Sequence, residues 1–256
     1  MTLTESLISG LVQGLTEFLP ISSSAHLVFV HRAFGITGET LFFDICLHAA
    51  TLAAVMVYFR KDIAEIFIKK DIKAVGYIIL GTIPAVAAAL MFGDKITEFF
   101  TAPAKVGAML LVTATALFLA QTVSTRKERT EKITLTSAVI VGITQAFALL
   151  PGISRSGVTI ASGMVSGVKA ESAFRFSFLL SVPVIAGALA YKIVSMGQEA
   201  SSELLMSPGY VLGMAVAFLA GLAGLRFFRY VLILNRIYLF GVYCLLMGGT
   251  ILLLAG

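Results

Sequence analysis

Long apolar runs recur along the chain, separated by short polar segments. A membrane-spanning helix needs about 20 mostly apolar residues, and six runs approach or reach that length. They are Leu41–Tyr58, Ala74–Gly93, Ala104–Val123, Phe176–Val194, Gly209–Phe227 and Ile237–Ala255. The pattern therefore predicts an all-α integral membrane protein with about six transmembrane helices.

Two further apolar stretches, Leu3–Phe34 and Ile133–Val168, are each interrupted by a polar segment that begins with proline. Proline lacks the helical N–H and clashes with the preceding turn, so each stretch is either one spanning helix or a re-entrant helix–loop–helix. The central position of Pro20 and Pro151 favours the re-entrant form. Such breaks at membrane depth occur only where they are buried in protein or line a cavity, and they therefore indicate a functional site.

The two interrupted stretches resemble each other. Gly-Leu-Val-Gln at 10–13 matches Gly-Ile-Thr-Gln at 142–145, and Leu-Pro-Ile-Ser-Ser-Ser at 19–24 matches the segment 150–156, which has one inserted glycine. Three apolar runs follow each break. Repeats of this kind are a known membrane architecture in which broken helices meet near the midplane.

We therefore predict a single membrane domain, 1–256, built of a first half (1–123), a cytoplasmic linker (124–132) and a second half (133–256). Short cytoplasmic loops are enriched in Lys and Arg. With the linker inside, thirteen such residues are cytoplasmic: Arg60, Lys61, Lys69, Lys70, Lys73, Arg126, Lys127, Arg129, Lys132, Lys169, Arg226, Arg229 and Arg236. Four are outside: Arg32, Lys95, Lys105 and Lys192. Three spans per half invert the second half, so the two breaks are expected to enter from opposite faces and to meet.

Composition agrees with this class. The chain is 58% hydrophobic and 13% charged, with a mean hydropathy of +0.97. Soluble domains average about 45–50% apolar and about 25% charged residues.

Cys46 and Cys244 lie in apolar runs and are expected to be small core residues. The net charge of +5 does not indicate nucleic acid, because no basic stretch is interleaved with aromatics. Met1 is expected to begin the mature chain, since no basic signal region follows it.

The first break carries candidate chemistry. Gln13 and Glu17 are four apart and share one helix face, and an ionised carboxylate inside the membrane is a functional candidate by default, although a solvated end charge is the alternative. Glu17 would hold a divalent cation, accept a proton or orient His26. With Gln at 13, a cage of two carboxylates is not supported. His26 follows three serines and is either a base or nucleophile or a satisfied core residue.

The next helix carries a second spacing of the same kind. Asp44 and His48 are four apart, and they form either a mutually satisfied buried pair or part of the chemistry.

The second break places Arg155 among serines and glycines without a solvated face. A guanidinium group presents a planar fork of donors suited to phosphate, and helix N-termini attract anions. The alternative is an Arg155 that pairs with Glu17 or Asp44 and holds the halves together. The two breaks together provide the groups that phosphoryl transfer needs, so the expected substrate is a lipid phosphate or pyrophosphate.

At these residues the chain resembles the undecaprenyl-diphosphate phosphatase (BacA/UppP) family. The family pattern (Glu/Gln)-x-x-x-Glu followed by Phe-Leu-Pro-(Ile/Val)-Ser-Ser-(Ser/Thr)-(Gly/Ala)-His corresponds to 13–26, and Pro-Gly-x-Ser-Arg-Ser-Gly corresponds to 151–157. The likeness extends to Phe-Ser-Phe-Leu-Leu-Ser-Val-Pro at 176–183 and covers essentially the whole chain.

The resemblance implies hydrolysis of the C55 polyprenyl diphosphate to the monophosphate, with a divalent cation, Mg²⁺ or Ca²⁺, as cofactor. It implies six spanning helices, two re-entrant pairs and a site that faces the outside of the plasma membrane. The implied catalytic residues are Glu17, Ser23, His26 and Arg155. The implied substrate-binding residues are Gln13, Ser22, Ser24, Ser154, Arg155, Ser156 and Thr159, and Glu17 is the implied metal ligand.

Several alternatives stay open at this stage. Ser23, His26 or an activated water would attack the terminal phosphorus, and His26 would otherwise serve as general base to the serine. The other function considered is a secondary transporter or flippase of a lipid phosphate, because inverted repeats with broken helices are also the plan of carriers. The expected partners are the polyprenyl diphosphate and membrane lipids, and the sequence leaves a homodimer open.

Overall fold

The computed structural model describes residues 1–35, 41–100, 102–124, 129–196 and 207–255. In this part of the chain the protein consists of eleven helices and contains no strand, which confirms the all-α prediction. The helices are α1 Leu3–Phe18, α2 Ser23–Ala33, α3 Leu41–Tyr58, α4 Arg60–Ile68, α5 Ile72–Phe100, α6 Pro103–Ser124, α7 Leu135–Phe147, α8 Arg155–Val165, α9 Ala170–Met196, α10 Pro208–Ile233 and α11 Tyr238–Ala255.

Five of these helices, α5, α6, α9, α10 and α11, are long and apolar enough to cross a membrane. A sixth span forms if α3 and α4 are taken together, although the chain bends by 62° between them. The prediction of about six transmembrane helices is therefore confirmed. The structure differs at the start of α9, which begins at Ala170 rather than Phe176.

Both interrupted stretches are broken as predicted. α1 and α2 contain 16 and 11 residues, and α7 and α8 contain 13 and 11. All four are shorter than the roughly 20 residues that a span needs, so each pair has the dimensions of a re-entrant element. The backbone turns at Ser22, where φ is +67°, and at Gly152, where φ is +96°. A left-handed conformation at a serine is uncommon outside strained or functional positions.

The two predicted halves exchange contacts. α1 of the first half packs along α10 of the second, and α7 of the second packs along α5 of the first. Both contacts need glycine. A Cβ on Gly10 would lie 2.3 Å from the Gly213 carbonyl oxygen, and one on Gly142 would lie 2.7 Å from the Gly81 Cα. Small residues allow membrane helices to approach this closely.

A layer of aromatic rings closes the core next to the first break. Phe18, Phe59, Phe174 and Phe178 are at most 2% exposed, and their ring centroids lie 4.8–5.8 Å apart in the contacting pairs. Edge-to-face and offset pairs of this kind add to the stabilisation from burial. Phe18 follows Glu17 directly, so this layer fixes the end of α1.

The linker is described at Ser124 and from Arg129 onward, and residues 125–128 lie outside the described part. Arg129 donates to the carbonyls of Val168 and Met164 at 3.0 and 3.3 Å. Thr130 bridges to Val168. The end of the linker is therefore fixed to the turn between α8 and α9. Cys46 and Cys244 are free and buried, as expected.

Candidate active site

The two breaks contact each other inside the helical bundle. The backbone N–H of Gly152 donates to Ser22 Oγ at 3.2 Å, and Ser156 Oγ donates to the Leu19 carbonyl at 3.4 Å. Leu19 and Ser22 belong to the first half of the chain, and Gly152 and Ser156 belong to the second half. The convergence that the sequence predicted is thus present, and it creates one site rather than two.

Glu17, at the end of α1, is the centre of this site. Its Oε1 accepts from Arg155 Nη2 at 2.6 Å, and its Oε2 accepts from Ser23 Oγ at 2.6 Å and from Gln13 Nε2 at 3.1 Å. The Glu17 side chain is only 8% exposed. A buried carboxylate is stable only when it is paired and hydrogen-bonded, and this arrangement satisfies both of its oxygens.

The local fold explains why these groups meet. Ser23 is the first residue of α2 and Arg155 is the first residue of α8. The N-terminus of a helix carries a partial positive charge and unpaired N–H groups. The first residues of two such helices reach the Glu17 carboxylate with their side chains, so the site is electrostatically suited to an anion such as a phosphate group.

Two polar atoms in the site are buried and lack a partner among the described residues: Gln13 Oε1 and Arg155 Nη1. An unsatisfied buried group costs about 1–3 kcal/mol, and more if it is charged. Arg155 Nη1 is a free donor, and Gln13 Oε1 is a free acceptor. Both are suited to groups that a substrate would bring.

His26 lies at the site but faces away from the serine that it was expected to assist. Its Nδ1 lies 2.8 Å from the Ser22 carbonyl oxygen, and its Nε2 lies 2.6 Å from the Tyr243 hydroxyl. The rings of His26 and Tyr243 are stacked with centroids 5.7 Å apart. Among the described residues, the group that hydrogen-bonds to the Ser23 hydroxyl is Glu17 and not His26.

The remaining predicted binding residues are engaged within the protein. Ser22 and Ser24 share a hydrogen bond of 3.2 Å. Ser154 caps α8 by accepting from the Gly157 N–H, and Ser156 shares a hydrogen bond with Ser154. Thr159 donates to the Arg155 carbonyl at 2.6 Å, and its hydroxyl also lies 2.6 Å from that of Ser177. Ser154, Ser156 and Thr159 are at most 3% exposed, so in this structure they hold the second break in shape.

His48 joins the site, and the sequence had left its role open. Its Nε2 lies 3.9 Å from Glu17 Oε2, while its Nδ1 contacts the Asp44 backbone oxygen at 2.7 Å. The Asp44 carboxylate lies 3.7 Å from His31 Nε2 instead. The side chains of Asp44 and His48 therefore do not form the mutually satisfied pair that the sequence allowed.

Sequence reasoning missed two residues that contact the site. Tyr243 holds His26 from α11, and Thr113 of α6 bridges the second break by donating to the Gly152 carbonyl and accepting from the Ser154 N–H. Both residues are polar side chains inside apolar spanning runs. A polar side chain in an apolar run was the only indication that the sequence offered for these two residues, and it does not predict which contact each hydroxyl makes.

A divalent cation fits this site only together with a substrate. Among the described residues no group of three or more His, Cys, Asp and Glu side chains is placed to hold a metal ion. The candidate oxygen ligands are the Glu17 carboxylate and the unpartnered Gln13 Oε1. Mg²⁺ is commonly held by one or two carboxylates plus substrate phosphates, and this donor set is of that incomplete kind.

The fold and the site define the class: a multi-pass membrane protein with a buried serine–carboxylate–arginine cluster suited to phosphate chemistry. Comparison with known proteins then gives the family. The chain belongs to the family described as bacitracin resistance protein BacA, whose model matches residues 6–250.

Curated relatives of nearly equal length are similar to this chain. One is undecaprenyl-diphosphatase 1 of Shouchella clausii, 39% identical over 97% of this chain and 95% of the relative. Another is the undecaprenyl-diphosphatase of Carboxydothermus hydrogenoformans, 37% identical over 98% and 96%. A third, from Methanococcus maripaludis, bears the same name and is 38% identical over 97% and 99%.

Proposed function

We propose that this chain is an integral-membrane phosphatase that hydrolyses undecaprenyl diphosphate to the monophosphate and inorganic phosphate. The observation that carries the proposal is the position of Glu17 between the Ser23 hydroxyl and the Arg155 guanidinium, each at 2.6 Å. The relatives' names, undecaprenyl-diphosphatase, identify the substrate class and agree with the activity predicted from the sequence.

Binding begins at Arg155. Its Nη1 is buried and without a partner in the described part of the chain, and a guanidinium can present two parallel donors to a phosphate. The N-termini of α2 and α8 add favourable dipoles. When the terminal phosphate takes over the guanidinium, the Glu17 carboxylate is released from its ion pair and keeps its hydrogen bonds to the Ser23 hydroxyl and the Gln13 amide.

The first chemical step forms a bond between Ser23 Oγ and the terminal phosphorus. The hydroxyl proton passes to Glu17 Oε2, and the bond from phosphorus to the bridging oxygen breaks. The electron pair leaves with the bridging oxygen on the polyprenyl monophosphate, to which Glu17 returns the proton. Dividing one difficult displacement into two easier ones is the general advantage of a covalent route.

The second step returns the enzyme to its starting state. Water attacks the phosphoserine phosphorus and gives its proton to Glu17, and the bond between phosphorus and Ser23 Oγ breaks. The serine oxygen recovers the proton from Glu17, and inorganic phosphate leaves. His26, held at both ring nitrogens, positions the turn at Ser22 and needs no proton transfer in this scheme.

Gln13 Oε1 and Glu17 Oε1, the carboxylate oxygen that Arg155 gives up to the phosphate, would hold a Mg²⁺ or Ca²⁺ ion together with phosphate oxygens. When bound, such an ion would neutralise the charge of the diphosphate.

We further propose that the protein lies in the plasma membrane with its halves inverted and the site open to the outside. The excess of Lys and Arg in the loops assigned to the cytoplasm supports this orientation.

The test is inorganic phosphate release from undecaprenyl diphosphate by the purified protein in detergent. The wild type is expected to release phosphate, and Glu17→Gln, which keeps the side-chain shape, is expected to abolish release while the protein elutes as one species. Glu5→Gln, in the first turn of α1, is the matched control and retains activity. Flux of the lipid across proteoliposomes without phosphate release would favour a carrier and overturn the proposal.

A further inference from the structure

A cavity of about 360 Å³ lies where the end of α3, the start of α9 and the end of α10 meet, away from Glu17. Four arginines line it: Arg60, Arg175, Arg226 and Arg229. We call it the arginine cavity. Small-molecule sites occupy about 300–1,000 Å³, so the space is sufficient for a small charged group.

The arginine cavity has more positive than negative charge. Its two carboxylates are already in use, because Glu171 Oε1 lies 2.8 Å from Arg229 and 3.6 Å from Arg175, and Asp62 Oδ1 lies 3.3 Å from Arg175. In the described ranges neither Arg60 nor Arg226 takes part in an ion pair. Two guanidinium groups in one concave space are therefore without a carboxylate partner among the described residues.

The cavity is separated from the candidate active site by the aromatic layer. Phe59 and Phe174 line the cavity, and both pack on Phe178, which in turn contacts Phe18 beside Glu17. These rings are at most 2% exposed. The surplus charge of the cavity therefore does not belong to the site at the two breaks.

The position of α4 places the cavity at the depth of lipid headgroups. α4 turns by 62° from α3 directly at Arg60, and it has no buried residue among its nine. Phe67 and Ile68 are 74% and 81% exposed, next to the exposed Lys69. A short helix that carries apolar and charged residues and has no fully buried side chain is typical of the membrane interface.

We propose that the arginine cavity binds the phosphate group of an anionic phospholipid. Basic pockets between transmembrane helices on the cytoplasmic side are suited to phosphorylated headgroups, and guanidinium is the side chain best matched to phosphate. Val57 and Leu222 form apolar walls of the cavity, and Phe227 and Tyr230, beside Arg226 and Arg229, are more than half exposed. Acyl chains can lie against this flank while the headgroup enters the cavity.

The experiment is native mass spectrometry of delipidated full-length protein titrated with phosphatidylglycerol or phosphatidylcholine. Wild type is expected to retain phosphatidylglycerol selectively. The variant Arg60→Ala/Arg226→Ala should bind it roughly 25-fold more weakly, since each arginine near an anionic surface contributes about 1 kcal/mol. Arg236→Ala, which removes an exposed arginine outside the cavity, is the control and should bind normally.

Each other outcome overturns the proposal. Equal retention of both lipids by wild type would show that the cavity does not select an anionic headgroup. An equal loss in Arg236→Ala would show non-specific charge attraction. Displacement of phosphatidylglycerol by inorganic phosphate at similar concentration would assign the cavity to free phosphate. The double variant is expected to keep phosphate release from undecaprenyl diphosphate, which verifies its fold and keeps this test separate from that of the proposed activity.

Discussion

Ser23 and Arg155 occupy equivalent positions in the two broken elements, and their side chains lie 2.6 Å from the two different oxygens of one carboxylate, that of Glu17. Each is the first residue of its short helix. One repeat therefore contributes the hydroxyl and the carboxylate, and the other contributes the cation. The functional site is asymmetric although the framework that holds it is repeated.

Replacing Ser23 tests the proposed nucleophile. Ser23→Ala removes the hydroxyl that contacts Glu17, and we expect phosphate release to fall by roughly a thousandfold or more, as for other nucleophiles. Ser24→Ala is the matched control, because the Ser24 hydroxyl contacts Ser22 instead, and its loss should stay within about tenfold. Steady-state hydrolysis of both variants decides the matter. Equal losses would contradict the role of Ser23.

Removing Arg155 is expected to affect stability as well as activity. Arg155→Met leaves the buried Glu17 carboxylate without its cation, and loss of one partner of a buried pair costs about 3–5 kcal/mol. Adding Glu17→Gln should recover much of that loss, because no uncompensated charge remains, while activity stays absent in both variants. The apparent melting temperature in detergent and phosphate release measure the two effects. A double variant no more stable than Arg155→Met would show that the ion pair is energetically unimportant.

The contact between α5 and α7 depends on two glycines. Gly142→Ala places a methyl group 2.7 Å from the Gly81 Cα, which is backbone and cannot rotate away. We expect the free energy of unfolding to fall by about 1–3 kcal/mol, as for other overpacked cores. Gly76→Ala on α5 is the control, since nothing lies within 4 Å of its Cβ, and it should be neutral or slightly stabilising. Thermal unfolding of the pair provides the comparison, and equal melting temperatures would contradict this packing.

Tyr243 is predicted to be a positioning residue. Tyr243→Phe removes one hydrogen bond of His26 but leaves the one to the Ser22 carbonyl, so the loss should be about three- to tenfold in the rate of hydrolysis, corresponding to a single neutral hydrogen bond. His26→Gln should stay far above Ser23→Ala for the same reason. Turnover numbers of the three variants test the order. A His26→Gln variant as inactive as Ser23→Ala would assign His26 to the chemistry itself.

Much of the framework followed from the sequence because its signals are local. Apolar runs of near-spanning length predicted the long helices, and proline at 20 and 151 predicted the breaks. The start of α9 was placed six residues late because the charged residues Glu171 and Arg175 were taken to lie before the apolar run that forms the helix. Both residues belong to the first turns of α9 at the arginine cavity, where their side chains pair with one another.

The contacts inside the site were less predictable because they join distant residues. Glu17 and Arg155 were each recognised as costly charges, and their pairing was one of two alternatives. The contact of His26 with Tyr243 spans 217 positions, and no local pattern distinguishes that tyrosine from the other aromatics in apolar runs. The hydroxyls of Ser154, Ser156 and Thr159 were expected to face a ligand. Whether a hydroxyl near a break faces a ligand or a backbone carbonyl depends on tertiary packing.

The most direct measurement is rapid acid quenching of the enzyme during its first turnover on undecaprenyl diphosphate labelled in the terminal phosphate. Covalent label on the peptide that contains Ser23, appearing before inorganic phosphate and absent from Ser23→Ala, is the predicted result. Full release of labelled phosphate with no labelled peptide, at a rate that Ser23→Ala matches, would contradict the assignment of Ser23, Glu17 and Arg155 to one catalytic site.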